Sequence, residues 1–187
     1  PSLADQTTAQ LVTSLSHRNA WHRETAAILL VERQDRAALP LLDRLAQQAH
    51  HPTTRLHALY GLQSQQSLSD SRLRTALHDS DPRVRKHALI LSEPRLDASF
   101  EFREIIRKMT RDPSPRVRLQ LGFSLATAPV EVRFTSLREL LLRDPSEALL
   151  AAAVQSSLRR GAGTMLSQLI RDPQALANSK LQALMQR

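Results

Sequence analysis

Arginine recurs at one position of an internal repeat and is the residue type with the clearest chemical pattern in this chain. The four residues are Arg23, Arg55, Arg85 and Arg118. A guanidinium group is a rigid fork of N–H donors that matches a carboxylate or a phosphate. Two roles fit: a row of anion-binding groups, or a structural ladder in which each arginine bonds an aspartate or a carbonyl of a neighbouring turn. The ladder is favoured because the position lies beside an apolar stripe, and Asp79 and Asp112 are candidate partners.

The repeat that positions these arginines has starts separated by 32, 30, 33 and 30 residues. Its clearest copies begin Pro82-Arg83-Val84-Arg85 and Pro115-Arg116-Val117-Arg118, and in a weaker fifth copy Ala148 replaces the arginine. Each copy combines a helix with apolar residues at helical spacing, a short turn, and a second helix with a wide apolar stripe. In most copies an Asp or Ser precedes a Pro in the turn, as in Asp81-Pro82, Ser114-Pro115, Asp144-Pro145 and Asp172-Pro173. We expect that Asp or Ser to cap the second helix, whose first position suits Pro.

The pattern predicts an all-α fold. The predicted helices cover 7–16, 20–33, 37–49, 53–64, 70–79, 82–92, 99–111, 115–127, 131–143, 145–159 and 163–186, the last with a break near Pro173. They pair into repeats at about 7–33, 37–64, 69–92, 99–127, 130–159 and 163–187. Because no helix can bury its apolar stripe alone, the pairs are expected to stack into one domain, 1–187. The expected architecture is an α-solenoid, a right-handed superhelix of about five to six antiparallel hairpins.

Composition excludes several classes of protein. Leu and Ala account for 33 and 23 residues and aromatic residues for only 3%, which favours helices over a β-sandwich or barrel. The absence of Cys excludes disulfides, thiolate zinc sites and Cys nucleophiles. No apolar run is long enough to span a membrane. No catalytic motif is present, so we predict no catalytic residue, no metal site and no enzymatic activity in this segment.

Positive charge is concentrated in the second half of the chain. Residues 1–82 contain 8 basic and 8 acidic residues, so the whole net charge of +8 lies beyond them. Arg83, Lys86 and Arg116 stand near the starts of second helices, away from the apolar stripe, and are the candidate partner-binding residues. An acidic protein is the favoured partner. Nucleic acid is less favoured because aromatic residues for base stacking are nearly absent.

Histidine and tryptophan receive structural interpretations. His57 and His87 occupy equivalent positions of adjacent repeats. Packed helices are about 9–10 Å apart, which is too wide for one shared metal ion. The lone tryptophan, Trp21, is expected to close the first turn between helices.

The segment from Leu73 to Leu89, with its Asp-x-Pro-x-Val-Arg core, resembles a HEAT repeat of the short type. The stretches 17–35, 55–62 and 88–94 further resemble the HEAT segment of large secreted bacterial proteins described as membrane-bound dehydrogenases. In that family a β-propeller precedes the HEAT segment and a c-type cytochrome domain follows it. The resemblance therefore implies a longer parent protein, located outside the cytoplasm or in the periplasm. Haem c and a propeller-bound cofactor would belong to other parts of the parent, and this segment would hold no cofactor.

These observations predict a non-catalytic scaffold within a larger redox protein. Its partners would be neighbouring domains of the parent chain or an acidic protein, without direct insertion into a membrane. The chain begins at Pro1 without Met, so processing or excision from a longer protein is expected. Two alternatives stay open. One is a nucleic-acid-binding HEAT protein, whose affinity would fall steeply with salt. The other is an assembly factor similar to chromophore lyases, since short HEAT repeats occur in phycobilin lyases; it would bind a tetrapyrrole.

Overall fold

The computed structural model describes residues 2–143 without interruption and, beyond them, residues 152–153, 156–157, 163–164, 167 and 170–177. Within these ranges the chain is all-helical and has no strand, which confirms the predicted all-α class. Most of the predicted helices 145–159 and 163–186 lies outside the described residues, as do the Asp144-Pro145 turn and Ala148.

Helix bounds follow the predicted pattern closely over the described residues. The helices are α1 (Thr8–Ser14), α2 (Ala20–Arg33), α3 (Leu39–Gln48), α4 (Pro52–Ser64), α5 (Asp70–Leu77), α6 (Pro82–Ser92), α7 (Phe100–Lys108), α8 (Pro115–Ser124) and α9 (Val130–Arg143), with a short helical turn at Pro173–Leu176. Short 3-10 turns stand at Leu3–Asp5, Arg36–Ala38, Glu93–Arg95, Met109–Arg111 and Leu125–Thr127. The predicted helices 99–111 and 115–127 therefore each end in a 3-10 turn, because the last turn of a helix readily tightens.

Side chains before the helices satisfy the backbone N–H groups that a helix start leaves unpaired. Thr7 and Gln10 form a complete capping box on α1, and Asn19 accepts a hydrogen bond from the N–H of Trp21 at 3.0 Å. Asp81 caps α6 as predicted, since its Oδ1 accepts the N–H of Arg83 at 2.8 Å.

The corresponding prediction for Ser114 is wrong, because its side chain makes no capping hydrogen bond. The turn before α8 is closed instead by Asp112, whose Oδ1 accepts the N–H of Ser114 at 2.8 Å. The Asp112 carboxylate, two residues earlier in the chain, therefore closes the turn in place of the Ser114 hydroxyl.

The chain comprises two compact units, Pro1–Ala88 and Leu89–Arg187. In the first unit α1 packs against α2, and α3 packs against α4. Contacts also link α1 to α3, α3 to α5, and α2 to α4, so each helical pair shares its core with the next. The leucines of these helices fill that core. Those with no more than 1% exposure are Leu11, Leu30, Leu42, Leu59 and Leu73.

In the second unit, α7 and α8 both pack against α9. The 3-10 turn Met109–Arg111 contacts all three of these helices. Fully buried side chains of this unit include Phe102, Ile106, Leu121, Leu137 and Leu140. The turn therefore brings the basic end of α7 beside α9.

Candidate functional site

The four repeat arginines share one backbone contact. In each, Nη1 donates to the carbonyl of the residue six positions earlier, in the turn before its own helix. The pairs are Arg23 with His17 at 2.7 Å, Arg55 with Ala49 at 2.7 Å, Arg85 with Asp79 at 2.8 Å and Arg118 with Asp112 at 2.6 Å. These carbonyls follow the end of the preceding helix, where backbone acceptors lack helical partners. The guanidinium groups therefore fasten each turn to the helix that follows it.

Arg55 makes a second contact, to the carboxylate of Asp79 in the next repeat. Its Nε donates to Oδ2 and its Nη2 to Oδ1, both at 2.7 Å, and the two side chains are only 11% and 12% exposed. Oδ1 of Asp79 also accepts the N–H of Asp81 at 2.8 Å. Asp79 is one of the two candidate ladder partners named from the sequence. Its contact with Arg55 joins α4 to the turn before α6.

The candidate partner-binding residues occupy α6 and α8. Arg83 is exposed, but its Nε and Nη2 donate to Asp81 at 3.0 and 2.9 Å. This bond lowers the pKa of Asp81 to about 2, so the carboxylate is ionised and offsets the charge of Arg83. Lys86 lies one turn further along α6 and is half-buried, whereas Arg116 is exposed on α8 in the second unit. A surface common to all three residues stays a prediction.

A cationic cleft in the second unit was missed by the sequence analysis. Two adjoining cavities of about 370 and 250 Å³ share Arg111 and Glu139 in their walls. The residues that line them are Arg107, Lys108, Thr110, Arg111, Arg138, Glu139, Leu142 and Arg143. The basic residues of α7 could be seen in the sequence, but their proximity to α9 depends on helix packing. We call this feature the α7–α9 cleft.

Internal ion pairs offset part of the positive charge of the α7–α9 cleft. Glu139 accepts a hydrogen bond from the Thr110 hydroxyl at 2.6 Å and lies 3.5 Å from Nη2 of Arg111. Arg138 pairs with Asp172. Arg107 pairs with Glu104 at 2.9 Å, which lowers the pKa of the Glu104 carboxyl and raises that of the Arg107 guanidinium.

Positive charge exceeds negative charge in the cleft. Among the described residues, five cationic side chains line it, and three carboxylates, those of Glu104, Glu139 and Asp172, pair with them. Lys108 and Arg143 line the cleft and are exposed, so they can attract an anionic group.

His57 and His87 are both half-buried in the first unit. Burial, followed by the charge of Arg23, lowers the pKa of His57. Burial, followed by the charge of Lys86, lowers the pKa of His87, whose Nδ1 lies 2.8 Å from the Tyr60 hydroxyl. Both imidazoles are therefore neutral near pH 7. Among the described residues, no group of three or more His, Cys, Asp or Glu side chains could hold a metal ion.

The prediction that Trp21 closes the first turn is wrong, because its side chain is 59% exposed. Among the aromatic rings of the described residues, only the His22 ring contacts that of Trp21. The two rings form a T-shaped pair with centroids 5.1 Å apart. Asn19 and Arg23 close this turn through their hydrogen bonds.

No helix in the described parts of the chain is both long enough and apolar enough to cross a membrane. No family model matches the chain, and no curated protein matches it. Among solved structures it is similar to the crystal structure of an engineered protein, with 15% identity over 96% of this chain and 93% of that one and a TM-score of 0.44.

Proposed function

We propose that the chain is a HEAT-type α-solenoid that acts as a non-catalytic protein-interaction scaffold. The observation that carries this proposal is the recurrent arginine contact, which fastens the turn before the second helix in four successive repeats. In repeat proteins of this kind, each helical pair is stabilised by its neighbours and the stack presents an extended binding surface. In the first unit, the Arg55–Asp79 pair and the contacts between successive helices support such stacking.

The partner in this proposal is an acidic surface, either of a neighbouring domain of a longer parent chain or of a separate protein. Charge supports it: the α7–α9 cleft has more cations than carboxylates. Arg83, Lys86 and Arg116 add further cationic side chains on α6 and α8. The resemblance to secreted dehydrogenases supplies the context of a redox parent, in which haem c and any propeller cofactor are bound by other segments.

Carbodiimide cross-linking of the native full-length parent tests the proposal, because this reagent joins a lysine amine directly to a carboxylate. Lys86 and Lys108 are the lysines among the described residues; Lys86 lies one turn from Arg83 on α6, and Lys108 lines the α7–α9 cleft. We expect mass spectrometry to find both lysines joined to Asp or Glu residues outside this segment. If neither lysine forms such a link, the proposal is wrong.

Neutral variants show whether the surrounding arginines attract that partner. Arg111→Gln with Arg143→Gln should reduce the cross-links of Lys108, and Arg83→Gln should reduce those of Lys86. Glutamine is chosen because it introduces no new carboxylate that could compete for the reagent. The matched control is Arg36→Gln with Arg44→Gln, two exposed arginines of the first unit, which should leave both sets of links unchanged. Equal losses in the control would show that overall charge, rather than these regions, controls docking.

The redox context has a separate test. Haem staining of the native parent after denaturing electrophoresis should give a band at high mass if a cytochrome domain lies on the same chain. A parent without covalent haem would contradict that context while leaving the scaffold proposal to the cross-linking result.

A further inference from the structure

Arg23 lacks the partner that Arg55 has. Nη1 of Arg23 bonds the carbonyls five and six residues earlier, at 2.9 and 2.7 Å, as Nη1 of Arg55 does at 3.0 and 2.7 Å. Nε of Arg55 then donates to Asp79 at 2.7 Å, whereas Nε of Arg23 is buried without any hydrogen-bond partner. Because the Nη1 contacts are the same, the side of the Arg23 guanidinium that carries Nε corresponds to the side of the Arg55 guanidinium that binds the Asp79 carboxylate.

The sequence explains the missing partner. Ala49 stands three residues before Pro52, as Asp79 stands three residues before Pro82, so the two occupy the same place in successive turns. A methyl group has no acceptor atom for the guanidinium fork. A buried N–H donor without a partner is unfavourable, since it has lost its hydration and gained nothing in return.

Arg23 lines a cavity of about 250 Å³. Its walls consist of Ser16, His17, Arg18, Arg23, His51, Thr53 and Thr54. Two of these seven residues are arginines, two are histidines and none is acidic. The volume is below the roughly 300–1,000 Å³ of pockets for drug-sized ligands, and a water occupies about 30 Å³. The cavity can therefore hold one small anionic group together with a few waters.

We propose that this cavity, the Arg23 pocket, binds a carboxylate that takes the place Asp79 has on Arg55. The fork of Arg23 would then form two parallel, charge-assisted hydrogen bonds, the geometry in which arginine holds carboxylates most strongly. The carboxylate comes from a small organic acid or from an acidic side chain of a peptide, and both sources present the same group. This inference does not depend on the scaffold proposal, because it concerns the first unit and requires no partner protein.

Titration with acetate tests the pocket, with chloride as the matched anion at constant ionic strength. The resonance of the Arg23 Nε–H group, followed by nitrogen–proton correlation NMR, should shift and saturate with acetate and stay in place with chloride. The Arg23→Lys variant assigns the resonance by its disappearance. A shift that grows linearly without saturation, or equals the shift with chloride, overturns the proposal.

Ala49→Asp is the decisive variant, because it supplies the carboxylate from within the chain. Its Arg23 Nε–H resonance should already be shifted without acetate and should no longer respond to it. Gln48→Glu adds the same charge one residue earlier at an exposed position and should keep the acetate response of the natural chain. If Ala49→Asp retains that response, the site is not the place of the missing aspartate and the proposal fails.

Two further probes define the ligand. An acetylated and amidated Gly-Asp-Gly peptide that binds at lower concentration than acetate would identify a peptide side chain as the source, and the reverse order would identify a small acid. Sulfate that saturates at lower concentration than either probe would overturn the assignment to a carboxylate. These measurements remain informative if Ala49→Asp fails to fold, because they use the unmodified chain.

Discussion

The Arg55–Asp79 pair allows a direct test of how much the arginine ladder stabilises the fold. We consider Asp79→Asn, which keeps an oxygen acceptor for the N–H of Asp81 but removes the charge and turns one N–H₂ group toward the guanidinium fork. Both partners are nearly buried, at 11% and 12% side-chain exposure, and both of their hydrogen bonds are 2.7 Å long. The substitution therefore leaves a buried guanidinium edge without its counter-charge.

Removing one partner of a buried ion pair costs about 3–5 kcal/mol. Arg55 keeps its Nη1 bonds to the carbonyls of Ala49 and His50, which favours the lower end of that range. We therefore expect the free energy of unfolding to fall by about 3 kcal/mol, a factor of roughly 150 in the folding equilibrium constant. Urea unfolding followed by circular dichroism of the helical signal measures this change.

The Arg72–Asp43 pair is a matched control with the same fork geometry. Its two hydrogen bonds are also 2.7 Å long and the Arg72 side chain is 13% exposed, but the Asp43 side chain is 47% exposed, so water can replace the carboxylate. Solvent screening limits such pairs to about 0–1 kcal/mol, so Asp43→Asn should cost at most about 1 kcal/mol. Equal losses of stability in the two variants would refute the reasoning, since burial would then have no part in the strength of the pair.

Three further predictions concern separate parts of the chain. The pKa of Asp81 is lowered to about 2 by Arg83, so the stability from this pair is complete above pH 4 and is lost as the pH falls toward 2. Because Arg83 is exposed, solvent screening keeps the loss in acid titrations small, and it should be absent in Asp81→Asn. Phe102→Ala should cost about 3–5 kcal/mol in urea unfolding, whereas Phe100→Ala, at a 69% exposed site, should cost under about 0.5 kcal/mol. Thr7→Ala removes the capping box of α1 and should cost about 1 kcal/mol, measured in the same way.

The helices were predictable from the sequence because their signals are local. Apolar spacing, a Pro at the first helical position and capping side chains act within a few residues of each helix start. Asp81 before Pro82 is an example, and it caps α6 as its position predicts. Ser114 before Pro115 shows the limit, because a nearby carboxylate, Asp112, competes for the same turn and closes it.

The α7–α9 cleft could not be predicted in the same way. The sequence shows excess positive charge in residues 83–118, but it does not show which helix will lie beside those side chains. Arg111 meets Glu139 across 28 positions of the chain, because the 3-10 turn after α7 packs against α9. Trp21 shows the converse case, since a large aromatic residue in a repeat position lies on the surface.

The sequence by itself determined the all-α class, the helix starts and the recurrence of one arginine in four successive repeats. Only the tertiary structure decided what each arginine does. Arg55 holds a carboxylate and Arg23 has a buried Nε without a partner, although both residues stand at the same place in their repeats. The physical reason is that the Nε–H donor of each guanidinium needs an acceptor from the turn of the next repeat. That turn contains Asp79 in the case of Arg55 and Ala49 in the case of Arg23. Local patterns form a helix, but the pairing of a buried charge depends on which distant residues the packing places against it.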